Sequence, residues 1–356
     1  MKKILILGDG IIGHLVALTL TKFGHKIYIL KSESVKASND NRYFSLNLLS
    51  KYFLSSLKTW PSKKNSISYK KIKTWDEETQ KKLYFDCSDI SFDCLGYVIK
   101  ETDLIDSIAK RINENKNIVH ITKVEKLSED GTCSIYDNKK NIKIDHVIFT
   151  SRNHKLLPNK IKIDEINYNQ EAIITNVKLN GSEDFTAYQK FSKSCIQGLL
   201  PTKKNSYNLI MSADFEKINH LKNQSKNEFL KSVRAGLDSD LFSVESVSSF
   251  SSFPLSGYKI REYYNNNMLY IGGAAHSVHP LAGMGLNMGI QEVFIIFKML
   301  EDFDGQIDDK LFASCDFEFR KYNNELYYGI NFLKEFYTGG KIPMLAKKLS
   351  LHLFDS

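Results

Sequence analysis

The opening stretch constrains the fold more than any other. An apolar run, Ile4 to Leu7, meets Gly8-Asp9-Gly10-Ile11-Ile12-Gly13, a G-x-G-x-x-G turn directly behind a strand. His14 to Phe23 then reads as a helix stopped by Gly24, and Lys26 to Leu30 as a second β-type run. Together they make one complete β-α-β unit. Gly8 and Gly10 permit the tight turn and let a pyrophosphate approach the backbone. Gly13 lets helix and strand pack closely, and the helix N-terminus faces the anion. The flanking strands and helix favour dinucleotide binding over a merely glycine-rich turn. One residue objects: the acid expected at the end of the second strand, where it would hold the adenosine ribose hydroxyls, is Lys31.

A chain of 356 residues can build two compact domains or one composite one. Hydrophobic content of 42% and charged content of 25% suit an ordinary globular protein, and the net charge of +8 is scattered without a basic stripe for nucleic acid. Lys2 and Lys3 before an apolar run imitate a secretory signal. Asp9 and His14 interrupt that run, and the glycine turn explains it better. No run reaches the length of a membrane span, and five cysteines without a C-x-x-C pair suit a reducing, cytoplasmic setting.

Taken in order, a polar stretch from Ser32 precedes Arg42, and residues 66 to 92 alternate as antiparallel strands. Thr102 or Asp103 is expected to cap a helix carrying Leu104, Ile108 and Ile112. Asp145 to Thr150 has the composition of a buried parallel strand returning to the first sheet. Beyond Asn167 the chain is β-rich, with a helix over Leu221 to Leu237. Ser151 to Lys160 and Asn265 to Asn267 are expected as crossings between halves. The second informative stretch runs from Met268 to Gly289: a strand, the small-residue turn Gly272-Gly273, a loop carrying His276, His279, Pro280 and Gly283, and a helix beginning near Gly285. Its small residues let a planar ligand lie against backbone, and the helix start offers free N–H groups and a positive dipole end. His276 and His279 are spaced for one side of a turn but lack local acid or thiol partners, so loop scaffolding is expected and no metal.

With the Arg42 segment, Leu95 to Ile99, Tyr168-x-Gln170, Ala187 to Phe191, Leu200-Pro201 and Phe253-Pro254-Leu255, these stretches resemble the FAD-dependent aromatic-ring hydroxylases, most closely the ubiquinone-biosynthesis branch. That resemblance implies an α/β fold, a Rossmann-like FAD-binding domain interleaved with a β-sheet substrate domain and ending in helix. FAD-binding parts are expected at residues 1–65, 101–152 and 258–302, substrate-domain parts at 66–100 and 153–257, and a helical segment at 303–356. NADH or NADPH would act as transient reductant, and a flavin C4a-hydroperoxide would pass oxygen from O2 to an electron-rich ring, with no catalytic protein side chain required. The residues implied at the cofactor are Gly8, Gly10, Ile11, Ile12, Gly13, Lys31, Arg42, Gly272, Gly273, Pro280, Gly283, Met284, Gly285, Leu286 and Asn287. The substrate would be a lipid-tailed phenol or quinone precursor.

The chain departs from the family at four places. Lys31 replaces the ribose-binding acid, with Glu33 two residues on. Gly273 replaces the aspartate of a Gly-Asp pair that binds the ribityl chain. Met284 stands for glutamine, and Thr150-Ser151-Arg152-Asn153 for Ala-Asp-Gly-Arg. These changes keep a second expectation open, a catalytically silent homologue serving as a lipid-binding or assembly subunit. The basic amphipathic stretch Lys341 to Phe354 allows peripheral contact at the inner face of a membrane or docking on its own domain, and a homo-oligomer or multi-enzyme complex is part of the same expectation.

Overall fold

The computed structural model describes residues 1–31, 42–129, 131–137, 140–152, 155–158 and 161–338. Glu33, Asn153 and the stretch Lys341 to Phe354 lie outside them. The chain opens with β1 (Lys3–Leu7), α1 (Ile11–Lys22) and β2 (Lys26–Leu30). There follow β3 (Tyr43–Leu46), α2 (Leu48–Ser56), β4 (Ser66–Tyr69), β5 (Lys71–Asp76), β6 (Lys82–Asp86) and β7 (Gly96–Lys100). α3 (Glu101–Asn113) leads to β8 (Ile118–Ile121), β9 (Val124–Leu127), β10 (Cys133–Asp137), β11 (Lys140–Ile144) and β12 (His146–Ser151). The long strands β13 (Ile163–Asn180), β14 (Thr186–Ser192), β15 (Cys195–Lys203) and β16 (Ser206–Asp214) precede α4 (Phe215–Lys222), α5 (Lys226–Leu237) and β17 (Ser243–Ile260). The chain closes with β18 (Tyr264–Asn265), β19 (Met268–Gly273), β20 (His276–Ser277), α6 (Met284–Asp302) and α7 (Asp309–Thr338).

Near-continuous apolar runs make β1, β2, β12 and β19 strands that can only be buried on both faces. They form a six-stranded sheet in the order β18-β19-β12-β1-β2-β8, parallel apart from the short hairpin β18–β19. β1 therefore has its sequence neighbour β2 on one side and the late strand β12 on the other. That reversal opens a crevice at the carboxyl ends of β1 and β12, the place where open α/β sheets bind ligands. The expected return of the segment ending at Thr150 is observed as the β1–β12 pairing, Leu7 opposite Phe149.

A second sheet of eight strands has the order β20-β17-β13-β16-β15-β14-β5-β6. Helices α4 and α5 cover one face, burying Ile218, Leu221, Phe229, Val233 and Leu237 against Leu209, Met211 and Val244. The other face meets the end of α7, where Phe191 stacks on Tyr337 at 3.8 Å, and a three-stranded sheet ordered β3-β7-β4. Residues 66 to 92 thus divide: β5 and β6 join the large sheet, while β4 pairs with β7.

Three local expectations are corrected. α3 starts at Glu101 with Lys100 as N-cap, so Thr102 and Asp103 lie inside its first turn, where Asp103 complements the dipole. Leu221 to Leu237 is two helices, because Ser225 and Glu228 form a capping box that starts α5 anew. Asn265 to Asn267 is the β18–β19 hairpin, with Asn266 and Asn267 at positive φ, rather than a crossing.

Candidate functional site

The glycine turn lies in the crevice, and its three glycines have different reasons to be glycine. A Cβ on Gly13 would stand 1.9 Å from the Gly8 carbonyl oxygen, and one on Gly8, at φ +134°, would stand 2.3 Å from Thr150 Oγ1. These two are required by packing between α1, β1 and β12. Gly10 is different: it is exposed, has ordinary extended dihedrals, and a Cβ there meets nothing within 4 Å. Gly10 is also the N-cap of α1, which has no side-chain cap and no acid in its first turn. Backbone donors therefore face open space, as an anion site needs.

A second uncapped helix start belongs to α6. Gly283, left-handed at φ +59°, is its N-cap, and the first turn contains no acid. Asn287, three residues into α6, is buried and its side chain is fully engaged. Oδ1 accepts from Asn47 N–H at 3.0 Å and from Ser50 Oγ at 2.8 Å, and Nδ2 donates to the carbonyls of Ser45 at 2.8 Å and Gly283 at 3.1 Å. That amide is a strut tying α6 to β3 and α2, leaving Gly283 to Leu286 as the backbone that faces outward.

Among the described residues β2 ends on no carboxylate, and the acid whose charge reaches His14 and His120 is Asp9 of the glycine turn. Lys31 is exposed at the tip of β2, and His120 beside it on β8 has its pKa lowered by burial and then by Lys31. His14, on α1 with its ring 6.2 Å from that of His120, is held down to about 4, chiefly by burial. Arg42 is half exposed, 3.2 Å from Glu101 and 5.0 Å from the Phe44 ring. In the altered segment, Thr150 Oγ1 donates to the Gly8 carbonyl at 3.2 Å, and Arg152 pairs with Glu165 while its guanidinium lies 4.1 Å over the Tyr258 ring. Met284 and Pro280 are half-buried, and Gly285 and Gly273 are exposed. The described residues fit FAD at the two helix N-termini, and among them neither Lys31 nor Gly273 supplies a side-chain acid for its ribose and ribityl hydroxyls.

The two histidines of the loop serve separate partners. His279 Nδ1 accepts the Leu281 N–H at 3.2 Å, which leaves the proton on Nε2 to donate to Gln170 Oε1 at 3.1 Å. β13 bulges at Asn169, and Tyr168, on the near side of it, sets its ring edge-on to His279 at 5.2 Å. The Tyr168-x-Gln170 signature is thus the seat of the proline loop. His276 turns instead to Glu292, 3.0 Å away. Burial lowers the His279 pKa from 6.5 to about 4. The unfolded chain then binds a proton below about pH 6.5 that the folded chain refuses until about pH 4, so this residue's contribution to stability is present above that window and lost as pH falls through it. Unfolding free energies from urea melts are expected to decline across this range, by about 1.4 kcal/mol per pH unit for this one group. His279→Gln should flatten the decline.

Sequence reasoning missed Glu292, Asn323 and Tyr258. A lone acid inside the apolar run of α6 was the available signal for the first; the other two carry none.

The FAD binding domain family model matches residues 156–323. Ubiquinone hydroxylase UbiM of Neisseria meningitidis is 24% identical over 96% of this chain and 78% of its own length. 3-Demethoxyubiquinol 3-hydroxylase of Escherichia coli is 21% identical over 84% of this chain and 79% of its own. Among solved structures, PqsL of Pseudomonas aeruginosa, described as a probable FAD-dependent monooxygenase, superposes with a TM-score of 0.78 at 16% identity over all of both chains. p-Nitrophenol 4-monooxygenase PnpA of Pseudomonas putida superposes at 0.73 with 14% identity, over all of this chain and 94% of its own. Matched end to end in fold, and by the FAD binding domain model over residues 156–323, the chain is similar to FAD-dependent monooxygenases and to the ubiquinone hydroxylases among its relatives.

Proposed function

We propose that the chain hydroxylates an aromatic ring with FAD, NADH or NADPH and O2, its substrate being a lipid-tailed phenol or quinone precursor of ubiquinone. The observation that carries this reading is the pair of uncapped, glycine-started helices, α1 and α6, flanking the crevice of a dinucleotide fold. The relatives named for ubiquinone hydroxylation support the substrate class. In this reading residues 1–65, 101–152 and 258–302 make the cofactor side, and 66–100 with 153–257 the substrate side.

Backbone from Gly8 to Gly13, with Ile11 and Ile12, would hold the pyrophosphate. Gly272 and Gly273 would face the ribityl chain, and Gly283, Met284, Gly285 and Leu286 the pyrimidine edge, where the dipole of α6 favours negative charge. Pro280, held by His279, would wall the ring, and Arg42 could release Glu101 to meet phosphate. When bound, reduced FAD supplies O2 activation and oxygen transfer to the ring. The protein's part is orientation and exclusion of water. No helix among the described residues is long and apolar enough to cross a membrane, and a peripheral position at the inner face suits a lipid-tailed substrate.

A yellow protein carrying about one FAD per chain, and oxidising NAD(P)H faster when a ubiquinone precursor is added, is the expected result. A colourless chain that retains no FAD in equilibrium dialysis would sink the enzyme reading. The second reading, a silent lipid-binding or assembly subunit, is favoured by Lys31 and Gly273 and would then stand.

A further inference from the structure

Glu292 is fully buried in the middle of α6. A carboxylate taken out of water costs several kcal/mol unless its oxygens are bonded. Oε2 accepts the Gly272 N–H at 2.6 Å, Oε1 accepts Asn323 Nδ2 at 2.6 Å, and His276 Nε2 lies 3.0 Å from Oε1. Asn323 also donates to the Tyr263 hydroxyl at 3.1 Å, and Asp316, paired with Arg320, accepts the Tyr263 N–H at 2.7 Å. The knot joins β19, β20, α6 and α7.

Its placement argues for more than core filling. Gly272, at φ +53°, is the last residue but one of β19, immediately before exposed Gly273, the position where the resemblance expects an aspartate. A Cβ on Gly289, one turn before Glu292, would lie 2.7 Å from Ile12 Cδ1, and one on Gly272 would lie 3.1 Å from Ile12 Cγ2. The turn is therefore pressed against the first turn of α1. From the other side, the Tyr258 hydroxyl donates to the Gly273 carbonyl at 2.5 Å, under the Arg152 guanidinium. The Gly272-Gly273 turn is gripped at the N–H before it and the carbonyl after it.

We propose that Glu292 is a positioning residue for the cofactor: by holding the Gly272 N–H while Tyr258 holds the Gly273 carbonyl, it fixes the turn against α1 so that backbone replaces the missing aspartate beside the ribityl chain. Asn323 keeps the carboxylate oriented, with the His276 ring packed beside it. This rests on the FAD reading above.

Calorimetric titration of the full-length chain with FAD and with ADP, which lacks the flavin half, tests it. Glu292→Gln keeps an acceptor for Gly272, and Asn323 can turn its amide to face the new nitrogen; FAD affinity should stay within about threefold. Glu292→Met keeps the length and removes the acceptor, and should weaken FAD by about tenfold or more with ADP little changed. Tyr258→Phe, a milder change for use should Glu292→Met not fold, should weaken FAD by about threefold to tenfold. Failure of Glu292→Gln to retain affinity, equal losses for FAD and ADP, or unchanged FAD binding in Tyr258→Phe overturns the positioning role. Absence of FAD binding by the unsubstituted chain overturns the flavin reading, and the positioning role with it.

Discussion

Replacing Gly10 with valine is expected to leave the fold standing and to abolish retention of FAD. The backbone of Gly10 is extended, and a Cβ there meets nothing within 4 Å, so the protein itself has no objection to a side chain. Loss of the N-cap preference costs about 1 kcal/mol, a shift of roughly 2–4 °C in a melting temperature for a chain of this order of size. A ligand phosphate at the start of α1 would collide with the valine. Losing close approach to several N–H donors should raise the FAD dissociation constant by about two decades or more. Gly13→Val is the control with the opposite signature, because its Cβ would stand 1.9 Å from the Gly8 carbonyl oxygen and the β1–α1 packing must open. Thermal melts and FAD titrations on both variants separate the two roles. A Gly10→Val chain that still binds FAD tightly would place the pyrophosphate elsewhere.

The contrast between these glycines shows where the sequence was legible and where it stopped. Spacing alone located the β-α-β unit, and the apolar run ending at Thr150 foretold the parallel return beside β1, since both signals are local and repeat with secondary-structure period. Which glycine packs and which faces a ligand is a matter of distances across 142 residues, from Gly8 to Thr150, and no spacing rule carries that. Asn287 makes the same point. Its place in the resemblance marked it for the cofactor, yet its amide is consumed by β3 and α2, which lie 240 residues earlier in the chain. The Glu292 knot was hidden for a related reason: its partners come from β19, β20 and α7, and a buried carboxylate has meaning only once they converge.

Restoring the two lost acids together, Lys31→Glu with Gly273→Asp, is expected to tighten FAD binding more than any other change. The exposed tip of β2 accepts glutamate without repacking, and it exchanges a cation beside His120 for a ribose-bonding carboxylate. At Gly273 a Cβ would lie 3.3 Å from the Thr150 carbonyl oxygen, close enough that the β12 end must give by a few tenths of an ångström. Its φ is not in the left-handed region, so an aspartate is strained only by that contact. Each recovered charge-assisted hydrogen bond contributes about 1.5–3 kcal/mol, so the pair should supply roughly 3–6 kcal/mol, or about two to four decades of affinity. The single variants should be nearly additive, because the two acids would address opposite ends of the dinucleotide and share no protein partner. Flavin fluorescence quenching across the four-member cycle measures it. A gain confined to Lys31→Glu would show that the gripped glycine turn already does what the aspartate does elsewhere; no gain in any variant would show that FAD does not lie across the carboxyl ends of β1 and β12.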